Sequence, residues 1–355
     1  MKHVAHRVAR VAPFLVVLAS SLLAQTTVHV VCTRDNTLYQ DPAGFTSNGS
    51  GTGVFCGLNA TGQIRRALVY FDVAANVPAG AKIVSAVLNL TVEQSIFFSP
   101  LNTNAHRVLQ AWGEGASVAA GGGGGGTLAQ TGDATWLYTS FQTTQWTAAG
   151  GDFGPASFVF PLPGFGSYTT MPYPGLIADV QDMLDNPAQN FGWLLRNNET
   201  ASSTARRISS RETLNTGDEP SLDITYLSPG QSGTWGTGCP VGAGTYMLQW
   251  SGVPTNGTTI QLLHQNAPSP SVGANFFSLG LDPIGTALLP SCSVYLPLTQ
   301  QFVAGDAFLT VGGAATTAVL LPAGFPGFLI NCQGATLDTT PLGFSLSNAA
   351  LIVTQ

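Results

Sequence analysis

Beyond residue 24 the chain carries three histidines, His29, His106 and His264, each in a different stretch. Zinc centres and Ser-His-Asp machinery need imidazoles brought together or a base beside a nucleophile, so this scattered supply points away from both. There is no GxSxG elbow, no CxxC pair and no EF-hand calcium loop. Two carboxylates that meet only in space, as glycoside hydrolysis requires, would escape such a search. The six glycines at 121–126 lack the preceding strand, following helix and Lys of a phosphate cradle, and read as a flexible loop. The residues therefore predict no catalytic group, metal site or cofactor.

What remains is recognition chemistry. The stretch Gly132–Phe153 gathers Trp136, Tyr138, Phe141 and Trp146 among small polar residues. Such rings can stack on the apolar face of a sugar while its polar rim stays wet. They can equally plug the end of a β-sandwich, which is the commoner fate of large aromatics. Arg206, Arg207 and Arg211, with Arg65 and Arg66, hold most of the positive charge. Either they pair with neighbouring acids, or they line a groove for an acidic polysaccharide.

The elements that would position these groups read as strands. From Arg66 to Asp72, Ala67, Val69 and Phe71 alternate with Arg66, Tyr70 and Asp72, and from Ser85 to Val92 the residues Ala86, Leu88, Leu90 and Val92 share one face. Asn76, Pro78 and Gly80 mark the loop between them. Further strands are expected near 28–32, 54–58, 104–112, 191–195 and 221–226, and eight more between 246 and 353 at intervals of roughly 10 to 16 residues, the rhythm of a sandwich. One segment has helical spacing: Leu176, Val180, Met183 and Leu184 on one side, Asp179, Asp182 and Asp185 on the other. It is expected to cross an open end of the first sandwich, with its acids solvated rather than holding a metal.

Residues 1–24 combine Lys2, Arg7 and Arg10 with an apolar run from Val11 to Leu23, the layout of a secretory signal peptide, with cleavage after Ser21 or, as preferred, Ala24. No later stretch is apolar enough for a membrane span, so a secreted or cell-surface location is expected. Without the leader's three basic residues, nine Lys and Arg face eighteen Asp and Glu, a net charge of −9 that disfavours nucleic acid as a partner. From Pro229 onward there is no Lys or Arg. This shift predicts a boundary, with domains at 25–228 and 241–355 joined by a Gly- and Ser-rich linker at 229–240.

Five cysteines in an exported chain should pair and leave one free. Cys32 and Cys56 are the only two in the first domain and are expected to bridge. Among Cys239, Cys292 and Cys332 three pairings exist. Cys239 with Cys292 is preferred, because Cys332 shares a strand face with Phe328 and Ile330 and reads as a buried thiol.

Several short motifs occur in order: DNTLYQ, SNGSGTG, RRALVYFDV, VPAGAKIVSAVLNL, HRVLQAWGEG, GDATWLYTSF, ADVQDMLDNP, NFGWLLRNNE and SRE before PSLDITY. Together they resemble the DNRLRE domain, a jelly-roll-like β-sandwich similar to carbohydrate-binding module family 96 and to disaggregatase repeats, over about Val28–Tyr226. One departure is Glu219, where such domains often carry Arg before the Pro of the last strand. The remainder, with GTGCP at 236–240, LLPSCSVYL at 288–296 and SNAALIV at 347–353, resembles a β-sandwich at the C-terminus of many exported planctomycete proteins, which implies no activity. The expectation is an all-β, two-sandwich exported protein that is not an enzyme. Its first domain would bind a polysaccharide or cell-surface glycan through Trp136, Tyr138, Trp146, Arg206, Arg207 and Arg211, and its second would serve display or assembly. A purely structural surface protein and a disaggregatase-like enzyme are the alternatives.

Overall fold

In the computed structural model the described residues are 25–339 and 342–355, so the expected leader lies outside them. The chain is all-β, built as two sandwiches, and every strand pairing described is antiparallel. In the first sandwich one sheet runs Thr26–Val31, Ser221–Leu227, Lys82–Ser95, Arg206–Ser209 and Gly53–Leu58. The other contains Ile64–Tyr70, Trp193–Arg196, Leu101–Val108 and Phe153–Leu162, with Arg34–Tyr39 also paired to Ile64–Tyr70.

Gly53–Leu58 belongs to both sheets. Cys56 and the three residues before it pair with Arg206–Ser209, whereas Gly57 and Leu58 pair with Ile64 and Arg65. The corner falls at Gly57, whose φ of +115° and whose missing Cβ, which would sit 2.4 Å from Asn197 Oδ1, both demand glycine.

Alternation explains the core between the sheets. Ala67, Val69 and Phe71 meet Ala86, Leu88, Leu90 and Val92, as their two-residue period requires. The helix Pro174–Asp185 closes one end with Leu176, Val180, Met183 and Leu184, and its Gln181 accepts the Ile83 amide at 2.9 Å. The acids on its other side are only partly solvated: Asp179 Oδ2 accepts the Trp193 indole N–H at 2.6 Å, and Asp182 pairs with Arg107 at 3.0 Å.

The second sheet is covered on its outer side too. Leu38, Leu68 and Leu194 point away from the main core and are buried by Trp112, Trp136 and Trp146 from the long excursion between Val108 and Phe153. Leu68, which broke the simple alternation of its strand, is explained by this second layer.

The second sandwich packs a five-stranded sheet, Ser232–Trp235, Phe344–Val353, Leu329–Leu337, Ser271–Ser278 and Val303–Thr310, against Met247–Ser251, Thr259–Gln265 and Ala315–Leu320. Leu248, Trp250, Ile260, Leu262, Cys332, Ala350 and Ile352 fill the space between. The segment expected as a linker is ordered: Ser232–Trp235 is an edge strand on Phe344–Val353, and the Gly230 amide donates to Val353 O at 2.8 Å. Val84 and Leu227 of the first sandwich share a small apolar cluster with Tyr295, Ala349, Leu351 and Val353. The two sandwiches therefore meet in a packed seam.

Cys239 and Cys292 form a disulfide, with Cα atoms 4.4 Å apart. Cys332 is a buried free thiol. The expected Cys32–Cys56 bridge is absent: both are buried free thiols. Cys32 lies in the short connection between Thr26–Val31 and Arg34–Tyr39 with its Sγ 3.1 Å from Arg34 O, whereas Cys56 sits within Gly53–Leu58 with its Sγ 3.7 Å from Asn197 Nδ2, so each thiol has its own surroundings.

Candidate functional site

The aromatic residues singled out in the sequence do not form an open platform. Trp136 and Trp146 are 8% and 6% exposed, within the layer over the second sheet. Trp146 donates its indole N–H to Thr135 O at 2.9 Å, and the Arg66 guanidinium sits 4.9 Å above the Trp136 ring. Neither ring has a face left for a sugar. Tyr138 is half-buried and edge-on to Phe141. The rings do plug apolar surface, but on the flank of a sheet rather than at the end of the sandwich.

The three arginines separate according to strand alternation. Arg206 points inward and is fully buried, donating to Ser95 Oγ and, at 2.7 Å, to Ser99 O. Arg207, the next residue, points outward between Phe55 on one neighbouring strand and Gln94 on the other. Arg211 lies elsewhere, with Nε and Nη2 on the two oxygens of Glu114 at 2.6 and 2.8 Å. They do not make one positive groove.

Arg207 does belong to a cleft. A cavity of about 200 Å³ opens on this outer sheet face, lined by Phe55, Asn59, Arg65, Gln94, Ser203 and Arg207 among others. The glycine run roofs it: Gly122 O accepts from Arg207 Nε at 3.0 Å, Gly123 O from the Tyr39 hydroxyl at 2.7 Å and Gly124 O from Arg65 Nη2 at 3.4 Å. Such close approach needs residues without side chains. Gly123 has φ +78°, and a Cβ there would lie 2.9 Å from Asn48 Nδ2.

The cleft is mildly cationic. Arg207 also pairs with Glu93, while the Arg65 guanidinium lies 4.7 Å over the Tyr39 ring. Burial lowers the pKa of both guanidiniums, opposed by the Tyr39 phenol, and both stay charged at neutral pH. On the rim, Ile96 is 65% exposed, and the next two residues in the chain, Phe97 and Phe98, are 49% and 76% exposed. Exposed apolar groups beside convergent donors are the makings of a recognition surface. Sequence reasoning isolated Arg65, Arg207 and the glycine run but not their meeting; the alternation that puts Phe55, Gln94 and Arg207 on one face could have signalled it only with the strand pairing known.

A second convergence lies away from this cleft. Asp35 and Asn36 of DNTLYQ, Ser47 of the two-residue strand Thr46–Ser47, Glu114, Ala134, and Arg211 of SRE are joined by hydrogen bonds. The Asp35 amide donates to Glu114 Oε1 at 2.9 Å, the Arg211 amide to Asp35 Oδ2 at 2.7 Å, and Asn36 Nδ2 to Ser47 Oγ at 3.1 Å, Glu114 O at 2.7 Å and Ala134 O at 3.3 Å. Motifs far apart in sequence thus share one buried polar node.

The histidines remain separate, with His29 on Asp223 at 2.7 Å, His106 on Gly154 O at 2.9 Å and His264 on the Tyr246 hydroxyl at 2.7 Å. Among the described residues, no helix is long and apolar enough to cross a membrane.

No family model matches the chain, and no curated protein matches it. Among solved structures, the N-terminal tandem of carbohydrate-binding modules CBM22-1 and CBM22-2 from Paenibacillus barcinonensis Xyn10C aligns over 95% of this chain and 100% of its own, at 12% identity and a TM-score of 0.18. At that score the likeness is too slight to bear on fold or function.

Proposed function

We propose that this is an exported, non-catalytic protein whose first sandwich, a DNRLRE-like module, binds a polysaccharide in the cleft roofed by the glycine run. The observation that carries this reading is the cleft itself: guanidinium, amide and hydroxyl donors over a sheet face walled by Phe55, with Ile96 open at the rim. Sugars present hydroxyl rims and apolar faces, and this lining offers partners to both. The disulfide supports an oxidising compartment. The second sandwich serves display or assembly, a role favoured by its apolar groove of about 580 Å³, lined by Phe276, Leu288, Leu298, Phe302 and Leu337 among others.

The test is a panel of neutral and uronate polysaccharides in affinity electrophoresis with the full chain. Gln94→Ala and Ile96→Ala change exposed side chains that line the cleft, so both variants should fold, and each is expected to weaken binding by about tenfold, the effect of roughly 1.4 kcal/mol. If no polysaccharide retards the wild type, or if both variants bind as it does, the cleft is not a glycan site. Release of reducing ends on incubation would instead mark an enzyme.

A further inference from the structure

Three carboxylates meet at the buried node where the sequence motifs converge. Asp35, Glu114 and Glu212 each place an oxygen within 4.8 Å of the other two. Two oxygens on opposite sides of a Ca²⁺ ion, each at roughly 2.4 Å, span the same distance. Asp35 is fully buried, and while its Oδ2 takes the Arg211 amide, its Oδ1 has no hydrogen-bond partner. Glu212 meets Arg211 at 2.8 Å, yet neither of its buried oxygens completes a well-aligned hydrogen bond. An orphaned buried carboxylate oxygen is costly, so something must answer it.

Charge leads to the same place. Among the described residues, Arg211 is the one guanidinium in ion-pair contact with these acids, bound to Glu114 and facing Glu212. Once ionised, three carboxylates against one guanidinium leave two negative charges at a site where Asp35 is fully buried and Glu114 and Glu212 are partly so. Asp133, on the neighbouring loop, is already occupied by the Gln130 amide at 2.7 Å and contributes no free oxygen on that side. A donor set made of carboxylate oxygens suits a hard divalent ion rather than a thiophilic one.

We propose that Asp35, Glu114 and Glu212 bind one divalent cation of the Ca²⁺ type. The ion ties the strand Arg34–Tyr39 to the loops carrying Glu114 and Glu212, and so fixes the base of the excursion that includes the glycine roof. Burial raises the proton affinity of Asp35 and Glu212 when no ion is present, so the cation and protons compete for the same oxygens.

This site does not depend on glycan binding, and its test uses none. The full chain, stripped with EDTA, is titrated with Tb³⁺ under tryptophan excitation, Trp112 lying two residues before Glu114. Sensitised emission that saturates at one ion per chain and is displaced by Ca²⁺ is expected, together with a rise in Tm of several degrees in Ca²⁺. Glu212→Gln should lose both while keeping the wild-type circular dichroism, and Asp182→Asn, on the distant helix, should keep both. Should Glu212→Gln not fold, native mass spectrometry of the stripped wild type after Ca²⁺ is added back decides, with one bound Ca²⁺ supporting the site and none overturning it. Absence of Tb³⁺ emission and of a Tm shift in the wild type, or equal responses in a folded Glu212→Gln, would also overturn it.

Discussion

His264 shows how much a single buried side chain owes to its surroundings. Its ring is almost completely buried, hydrogen-bonded through Nδ1 to the Tyr246 hydroxyl and 4.1 Å from the Phe308 ring centroid. Burial pushes its pKa down to about 4 from 6.5. In that interval the unfolded chain takes up a proton that the folded chain refuses. Stability due to this group is therefore complete above pH 6.5 and is lost as pH falls toward about 4, by up to about 3 kcal/mol. Denaturant unfolding of the wild type and of His264→Gln across this range should show the wild type losing that much more stability than the variant. Equal slopes would mean that the imidazole is protonated in the folded state.

At the scale of elements, the helix Pro174–Asp185 is the part whose sequence pattern and structural role agree most fully. Its four apolar residues at helical spacing are the four buried ones, and Pro174 sits in its first turn, where a missing N–H costs nothing. Leu176 is fully buried in the main core. Leu176→Ala should cost about 2–5 kcal/mol in urea denaturation, the range for a leucine-sized cavity. A cost below about 1 kcal/mol would mean that the helix caps the sandwich without holding it. The acidic side was harder to read, because the partners of Asp179 and Asp182, Trp193 and Arg107, come from strands that sequence spacing does not place beside them.

Over the whole molecule, the seam between sandwiches sets how the chain unfolds. Leu227 and Val84 are buried against Tyr295 and the strand Phe344–Val353, so neither sandwich completes its surface alone. A single calorimetric transition is expected, and Leu227→Asp, which places a charge in the seam, should split it in two. Two transitions already present in the wild type would show that the seam contributes little to cooperativity.

Local pattern was enough for the fold class, for most strands, for the helix and for the Cys239–Cys292 pairing, because alternation and helical spacing record which face of an element is buried. It did not reach Arg34–Tyr39, Phe153–Leu162 or Arg206–Ser209 as strands, since turn residues, proline or adjacent arginines mask their period. Partnership across the chain was beyond it. Trp136 and Trp146 read as candidates for a binding surface until Leu38, Leu68 and Leu194 were found beneath them. Arg206 and Arg207 are adjacent in sequence and opposite in fate, one sealed in the core and one lining a cleft, because pairing with Gly53–Leu58 fixes which of them faces inward. Asp35, Glu114 and Glu212 are ordinary acids in the sequence. Only tertiary structure, by folding three distant segments onto one buried point, makes them a site.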